Sequence, residues 1–556
     1  MKEGQQLLLF ETVDKEKNGK IDESSLDAAR HPYRYESHKY WGRKPHNIVI
    51  DYIKKYSTEG DTLLDPFMGS GVAIVEGLIL SRNVIGIDLN PIACFIAQCL
   101  LLKDIDLMEL RRCGLSIIKK LECDYRSLYR TKCKICDDEA YLVSGVWKNN
   151  KLTHIYYRCA HCGSALKKVD SYDLEIYNKI DYPNIKLWYP TDSLPKNADR
   201  KKVYELFTPR NLLILAALYD EIKKIEDDKI KNILLYTFTA NVAFTSIIIP
   251  INEKRLRQNK APTGIWGFKR FWVPPLHVEN NVFRYFKNRL ERTIKAKIET
   301  NELLKNCPYD NKIFNKSSTT LELSNESIDY IFTDPPFGNM IPYFNLSTLW
   351  NAWLNEKVDS KSELIYDQNH TFHHYEQGIK KAFLECYRVL KKGKFISVTF
   401  NNKNMKTWRA LINAIVDAGF VLIDLEHAED GEQSFTQTTR SKKGSLSGHF
   451  VYTFQKPLGG RKKIQIISHG KKAVEDFVLN EVNKIMTVRG ATTDEIYKIV
   501  IPLLANNHMI FEELKENFID NLLAKNFIQK EIITEERMIE KELVKIKNYI
   551  WCRKEL

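Results

Sequence analysis

The chain has 556 residues, 44% of them hydrophobic and 28% charged, with 84 Lys and Arg against 71 Asp and Glu for a formal net charge of +13. That length exceeds what one hydrophobic core can hold and implies two to four domains. With no apolar run long enough to span a bilayer and no signal-peptide pattern, the sequence predicts a soluble, cytoplasmic protein with no membrane partner. The basic excess favours a polyanionic partner, and eleven cysteines over this length exclude a disulfide scaffold.

Residues 1–30 read as a polar N-terminal arm. From His31 to His46, aromatic and basic residues interleave ahead of an amphipathic helix predicted over 47–56. This stretch suits either a charged surface or the wall of a site for an anionic or zwitterionic ligand. Thr62 to Asp65 then forms a strand, Pro66-Phe67-Met68-Gly69-Ser70-Gly71 a glycine-rich turn, and the following residues a helix. Gly69 and Gly71 permit close backbone approach, and the helix N-terminus offers free amides. A second strand, Asn83 to Asp88, ends in an acid before Leu89-Asn90-Pro91. An acid about 20 residues past a glycine turn, at the end of the next strand, suits a ribose diol. The G-x-G spacing lacks the third glycine of the dinucleotide fingerprint, so the expected ligand is a nucleoside-containing cofactor.

The α/β pattern breaks after residue 125. Cys133-Lys-Ile-Cys136 and Cys159-Ala-His-Cys162 are two C-x-x-C pairs flanking a β-type alternation. That spacing predicts a tetrahedral, structural zinc site in a ribbon over 126–170. Residues 171–310 read as a mostly helical insert, with helices over 211–225 and 230–247. Within it, 251–295 mixes basic and aromatic residues, so Arg255, Arg257, Lys260, Trp266, Lys269 and Arg270 are nucleic-acid contact candidates. The alternative is a solvated face over core aromatics.

The α/β pattern resumes at 311–456. Ile328 to Phe332 is a buried strand running into Asp334-Pro335-Pro336-Phe337-Gly338. Two prolines fix φ and remove two donors, so an acid, two carbonyls and an aromatic ring stand rigidly at a strand's C-terminal end. Helices over 375–390 and 404–418, a strand over 394–400, and an antiparallel couple over 420–425 and 448–455 complete the sheet. Residues 457–470 read as a basic linker and 471–556 as a helical domain, including a helix over 535–549. That domain suits a winged-helix-like reader or a partner-docking bundle.

Taken together, Asp65-Pro-Phe-Met-Gly69-Ser-Gly71 and Asp334-Pro335-Pro336-Phe337 resemble the cofactor and catalytic motifs of the amino-group (N6-adenine/N4-cytosine) DNA methyltransferases. The closest resemblance is to the adenine-specific DNA methylases containing a zinc ribbon, in which Phe207-Thr208-Pro209-Arg210 also resembles a recurring insert element. The resemblance covers about 31–455. It implies a Rossmann-like S-adenosylmethionine-dependent methyltransferase sheet with a zinc-ribbon and helical insertion and a small C-terminal helical domain. It implies cofactor contacts from His38, Lys44, Pro45, Asp65, Pro66, Phe67, Gly69, Gly71, Asp88 and Asn90, and an acceptor clamp from Asp334, Pro335, Pro336 and Phe337. The expected cofactors are S-adenosylmethionine and structural Zn2+, and the expected partner is double-stranded DNA, with any restriction or defence-system nuclease on a separate chain. Asp at position 334 leans toward adenine in this family; cytosine N4, RNA and a non-catalytic nucleic-acid scaffold are the alternatives. Two departures stand out. Phe337 replaces the more frequent Tyr, and Ser317-Ser318 stands where many members carry an acid near the cofactor's adenine.

Overall fold

The computed structural model describes residues 28–554 except 252, 259, 263, 268–269, 401, 403, 429–448, 460–469, 487–489, 507–517 and 540–541. Most of the 1–30 arm, most of the segment 426–447 between the two strands of the antiparallel couple, which the sequence predicts as a polar loop, and most of the linker therefore lie outside the described residues.

After helices α1 (Tyr33–Glu36) and α2 (His46–Tyr56), the chain lays down β1 (Thr62–Asp65), α3 (Val72–Ile79), β2 (Asn83–Asp88) and α4 (Pro91–Leu101). The same sheet resumes only at β8 (Asn311–Asn315) and β9 (Ile328–Thr333). It then adds α11 (Tyr343–Leu354), α12 (Phe372–Val389), β10 (Leu390–Phe400), α13 (Met405–Ala418), β11 (Val421–Ala428) and β12 (His449–Gln455). Seven strands run in the order β11-β12-β10-β9-β1-β2-β8, parallel except for β12, which is antiparallel to both its neighbours. Each residue of β9 is buried, because Tyr330 and Phe332 pack into one core cluster while Ile331, pointing to the opposite face, packs into the other. Such two-sided burial is what a near-continuous apolar run in a parallel sheet requires.

The insert between β2 and β8 holds two layers. A small antiparallel sheet comprises β3 (Arg130–Lys132), β4 (Glu139–Lys148), β5 (Lys151–Cys159), β6 (Gly163–Lys168) and β7 (Leu276–Asn280), the last pairing with β4. Its helices include α5 (Leu107–Tyr125), α7 (Pro209–Lys223), α8 (Asp228–Val242) and α10 (Val282–Leu304). Thr208-Pro209-Arg210 joins the two layers. Thr208 caps α7, and the buried Arg210 donates to both carboxylate oxygens of Glu279 on β7 at 2.7 and 2.8 Å. Trp147 on β4 donates to the same carboxylate at 2.9 Å. A fully buried charge is tolerable only when paired and hydrogen-bonded in this way.

The C-terminal segment corrects the helical expectation. Helices span Lys471–Ile485, Thr493–Asn506 and Phe518–Asn526, but β14 (Phe527–Ile539) and β15 (Glu542–Arg553) form an antiparallel hairpin with β13 (Ala491–Thr492) beside β15. The predicted helix over 535–549 is thus strand. The period-two alternation Val544-Lys545-Ile546-Lys547 prevails over the high helix propensity of Glu and Lys in that stretch. Helices followed by a hairpin wing fit the winged-helix-like alternative better than the helical bundle.

Candidate active site

From β1 the chain proceeds to β2 and β8 on one side, while β9 leads to β10 on the other. The crevice beyond the C-terminal ends of β1 and β9 is the topological switch point, where open α/β sheets bind ligands. A cleft lies there, and Asp65, Asp88 and Asp334 all line it.

Its first half is built on the ends of β1 and β2. Asp65 is 5% exposed, and its Oδ1 accepts from Phe67 N at 3.1 Å and Thr333 Oγ1 at 2.9 Å. Burial, with Asp334 and Asp88 nearby, pushes its carboxyl up to about 8. Asp88 accepts from Gly69 N and Asn90 N, each at 2.8 Å; burial raises it to about 6 against those two bonds. Gly69 has φ 52°, and a Cβ there would stand 3.2 Å from the Tyr40 ring. Gly71 is the N-cap of α3 at φ 84° and brings no side-chain cap, leaving first-turn amides unserved. Tyr40 stacks on Tyr343 with ring centroids 6.0 Å apart.

The second half follows β9. Asp334 Oδ1 accepts from Thr399 Oγ1 at 2.8 Å and pairs with Lys44 Nζ at 3.1 Å. Burial raises the carboxyl, and Lys44 and Thr399 oppose the rise. The Lys44 ammonium also lies 4.7 Å from the centroid of the Phe337 ring. The loop is pinned at two carbonyls: Tyr375 Oη donates to Pro336 O at 2.8 Å, and Asn402 Nδ2 donates to Phe337 O at 3.0 Å. Phe337 meets Phe400 edge-on at 4.8 Å. Gly338, at φ 67°, allows the exit past Tyr366, which a Cβ would meet at 2.4 Å.

The predicted residues divide by position. Lys44, Asp65, Phe67, Gly69, Asp88, Asn90, Asp334 and Pro336 line the cleft; Pro335 is buried beside it. Lys44 sits against the Asp334-Pro-Pro-Phe loop rather than the glycine turn. His38 is not among the lining residues: it is 1% exposed, bonded to Thr239 Oγ1 at 3.1 Å and packed on Tyr236 and Trp350. Burial lowers it to about 3, so it is a neutral core histidine rather than a ligand contact. Pro45 is the N-cap of α2, and the Pro66 carbonyl accepts from the Ser318 hydroxyl. Asn90 lines the cleft but its side chain is spent on Ser347 at 2.8 Å and Asn351 at 3.0 Å, locking α4 to α11.

In the insert, the four thiols of Cys133, Cys136, Cys159 and Cys162 lie within 4.8 Å of one another. The turns holding them close through left-handed Asp137 and Gly163. Among the basic candidates, Lys260 and Arg270 are exposed, Arg257 is exposed and pairs with Glu253 at 3.3 Å, and Arg255 is half-buried. Lys269 lies outside the described residues. Trp266 corrects the stacking expectation. It is 3% exposed and packs on Trp41, Phe271 and Trp350, so it anchors the basic segment behind the cleft wall and presents no face to a base. Glu363, from the segment after α11, also lines the cleft, and sequence reading missed it because no motif surrounds it.

The DNA methylase family model matches residues 8–98 and 328–474, the two segments that carry these loops. The Type II methyltransferase M.MjaII of Methanocaldococcus jannaschii is 22% identical over 401 residues, 66% of this chain and 71% of the relative. The Type II methyltransferase M.MvaI of Kocuria varians is 22% identical over 326 residues, 57% of this chain and 55% of the relative. A solved SAM-dependent methyltransferase of Methanosarcina mazei shares 12% identity over 29% of this chain and 78% of its own, with a TM-score of 0.17.

Proposed function

We propose that this chain, which belongs to the amino-group DNA methyltransferase family, transfers a methyl group from S-adenosylmethionine to the N6 amino group of an adenine flipped out of double-stranded DNA. The observation that carries this reading is the meeting of Asp65 and Asp88 with Asp334 and its proline-stiffened loop around one cleft.

The cleft fits the cofactor. Asp65 and Asp88 supply acceptors for an ammonium group and a ribose diol, and the open first-turn amides of α3 suit a carboxylate. Bound there, S-adenosylmethionine supplies an electrophilic methyl on a cationic sulfur. The chain's own residues do the rest. Phe337 gives a ring face on which an extruded base stacks. Lys44 now covers that ring and Asp334 Oδ1, so base entry displaces its ammonium with the substrate's own N–H donor. Asp334 and the Pro335 carbonyl would accept from the exocyclic amine, orienting its lone pair and dispersing positive charge on nitrogen as the methyl's bond to sulfur gives way to a bond to nitrogen and the sulfur keeps the electron pair. The proton then released passes to Asp334, whose burial raises its proton affinity. Two prolines and two pinned carbonyls preorganise these acceptors.

The cysteine cluster fits zinc. Cys136 Sγ and Cys159 Sγ are 3.7 Å apart, and tetrahedral Zn–S bonds of about 2.3 Å put sulfurs about 3.8 Å apart. With four thiolates and no open position, the ion is structural, bracing the insert that carries Arg255, Arg257, Lys260 and Arg270 toward DNA.

The test is methyl transfer from labelled S-adenosylmethionine to unmethylated DNA, with nucleoside analysis and Asp334→Ala as control. N6-methyladenine is expected. N4-methylcytosine would reassign the base, and cofactor binding without transfer to DNA or RNA would refute the enzyme reading.

A further inference from the structure

The segment after α11 forms a wall of the cleft that no motif marks. Ser362, Glu363 and Leu364 line the cleft itself, and Lys357 and Asp359 line an adjoining recess shared with Leu89 and Ser317. Leu89 follows Asp88 directly, so this wall stands opposite the end of β2, where the nucleoside half of a cofactor lies in such folds.

Within it, Glu363 is a half-buried carboxyl whose Oε1 accepts from Phe344 N, in the first turn of α11, at 3.2 Å. Its backbone is held firmly. His374 Nε2 meets Glu363 O at 3.0 Å, and His370 bridges Asp367 Oδ1 at 3.0 Å and Ser360 O at 2.9 Å. The charged groups felt by Glu363 are His370 and Asp367 on its own segment and Asp88 across the cleft, with Tyr343 of α11 also near. Burial, with Asp367 and Asp88 adding, pushes its carboxyl up to about 7. Drawing an acid partly out of water near two others is costly, and a single backbone amide needs only a neutral acceptor.

Ser317 and Ser318, which also line the cleft, are already committed. Ser318 donates to the Pro66 carbonyl and Ser317 shares a hydrogen bond with Thr319 at 2.8 Å.

We propose that Glu363 is a cofactor-binding carboxylate in addition to Asp65 and Asp88, set across the cleft from Asp88 and accepting a hydrogen bond from an O–H or N–H donor of the nucleoside half of the cofactor. This rests on the S-adenosylmethionine reading above. It makes the segment 357–365 a determinant of cofactor affinity rather than a passive connection between α11 and α12.

The experiment is calorimetry on the full-length protein with S-adenosylhomocysteine, adenosine and methionine, comparing wild type, Glu363→Ala, Glu363→Gln and Asp88→Ala. Glu363→Ala should weaken S-adenosylhomocysteine and adenosine about tenfold or more, the scale of a hydrogen bond to a charged acceptor, while methionine and DNA binding stay unchanged. Glu363→Gln, which keeps an acceptor but no charge, should weaken the same two ligands by a smaller factor. In turnover assays both variants should raise KM for the cofactor at unchanged kcat. Should Glu363→Ala fail to fold, Glu363→Gln carries the test, and affinity equal to wild type there refutes the proposal. Equal weakening of adenosine and methionine would refute it too, by showing a merely structural role. Normal adenosine binding by Asp88→Ala would instead sink the underlying nucleoside-site reading.

Discussion

Asp65 offers a test that needs no substrate. Its carboxyl is buried at the end of β1, and burial holds it up to about 8 in the folded protein, against about 3.9 in an unfolded chain. Between those values folding takes up a proton. The contribution to stability is full below the unfolded value and is lost as pH rises toward the folded one, at about 1.4 kcal/mol per pH unit. Across the whole window the loss is on the order of 5 kcal/mol, and above about pH 8 it levels off. Asp65→Asn keeps an oxygen to accept from Phe67 N and Thr333 Oγ1, supplies N–H where the neutral acid has O–H, and has no charge to bury. Asp88 and Glu363, raised to about 6 and about 7, titrate in both proteins and cancel in the comparison to first order. The stability advantage of Asp65→Asn over wild type should therefore widen by about 2–3 kcal/mol from pH 6 to pH 8. For a unit the size of this sheet domain that is a widening of roughly 5–10 °C in the Tm difference, measured by calorimetry without cofactor. A gap that stays constant or narrows over that range would refute the buried, neutral assignment.

Three further outcomes follow from the geometry. Phe337→Ala should lower kcat/KM for DNA by about 5- to 100-fold, the value of one stacked base, with S-adenosylhomocysteine affinity nearly unchanged; Phe337→Tyr should keep near-wild-type activity. Arg210→Ala strands the Glu279 carboxylate in the insert and should cost about 3–5 kcal/mol by chemical denaturation; a loss under about 1 kcal/mol would mean that the pair is dispensable. Wild type should carry about one zinc per chain by elemental analysis and Cys133→Ser almost none; equal metal content in both would dismiss the cluster as a metal site.

Local chemistry made the site legible, and long-range packing hid the rest. The glycine turn at 65–71 and the Asp334-Pro-Pro-Phe loop announce themselves because positive φ and paired prolines leave few alternative conformations. The sheet followed from strand–helix alternation at both ends of the chain. Trp266 misled because an aromatic ring among basic residues reads the same whether it faces solvent or, as here, a cluster with Trp41 and Trp350. His38 misled for a similar reason: proximity in sequence to Lys44 does not fix which side of the segment a ring takes. Lys44 could not be assigned to the acceptor side, since its approach to Asp334 is set by how α2 packs under β9. The Thr208-Pro209-Arg210 element, which the sequence marked only by its resemblance to a recurring insert element, proved to be a joint; its partner Glu279 lies on a five-residue strand, β7, too brief and too polar to be read as one. Glu363 had no signal beyond its position in a connecting segment.

The pairing of β1 with β9, in which Leu63 lies beside Tyr330, has a consequence for biosynthesis. At ordinary elongation rates β9 emerges about 10–50 s after β1, leaving one edge of β1 without its partner through the synthesis of the whole insert. The insert's β3 to β6 run consecutively from Arg130 to Lys168 and pair with sequence neighbours, so they can form while the sheet is still waiting. A folded insert shortens the effective loop between β2 and β8 and lowers the entropy of closing it. On the zinc reading proposed above, metal supply during translation would then govern the yield of folded sheet, although no cysteine of the cluster lines the cleft.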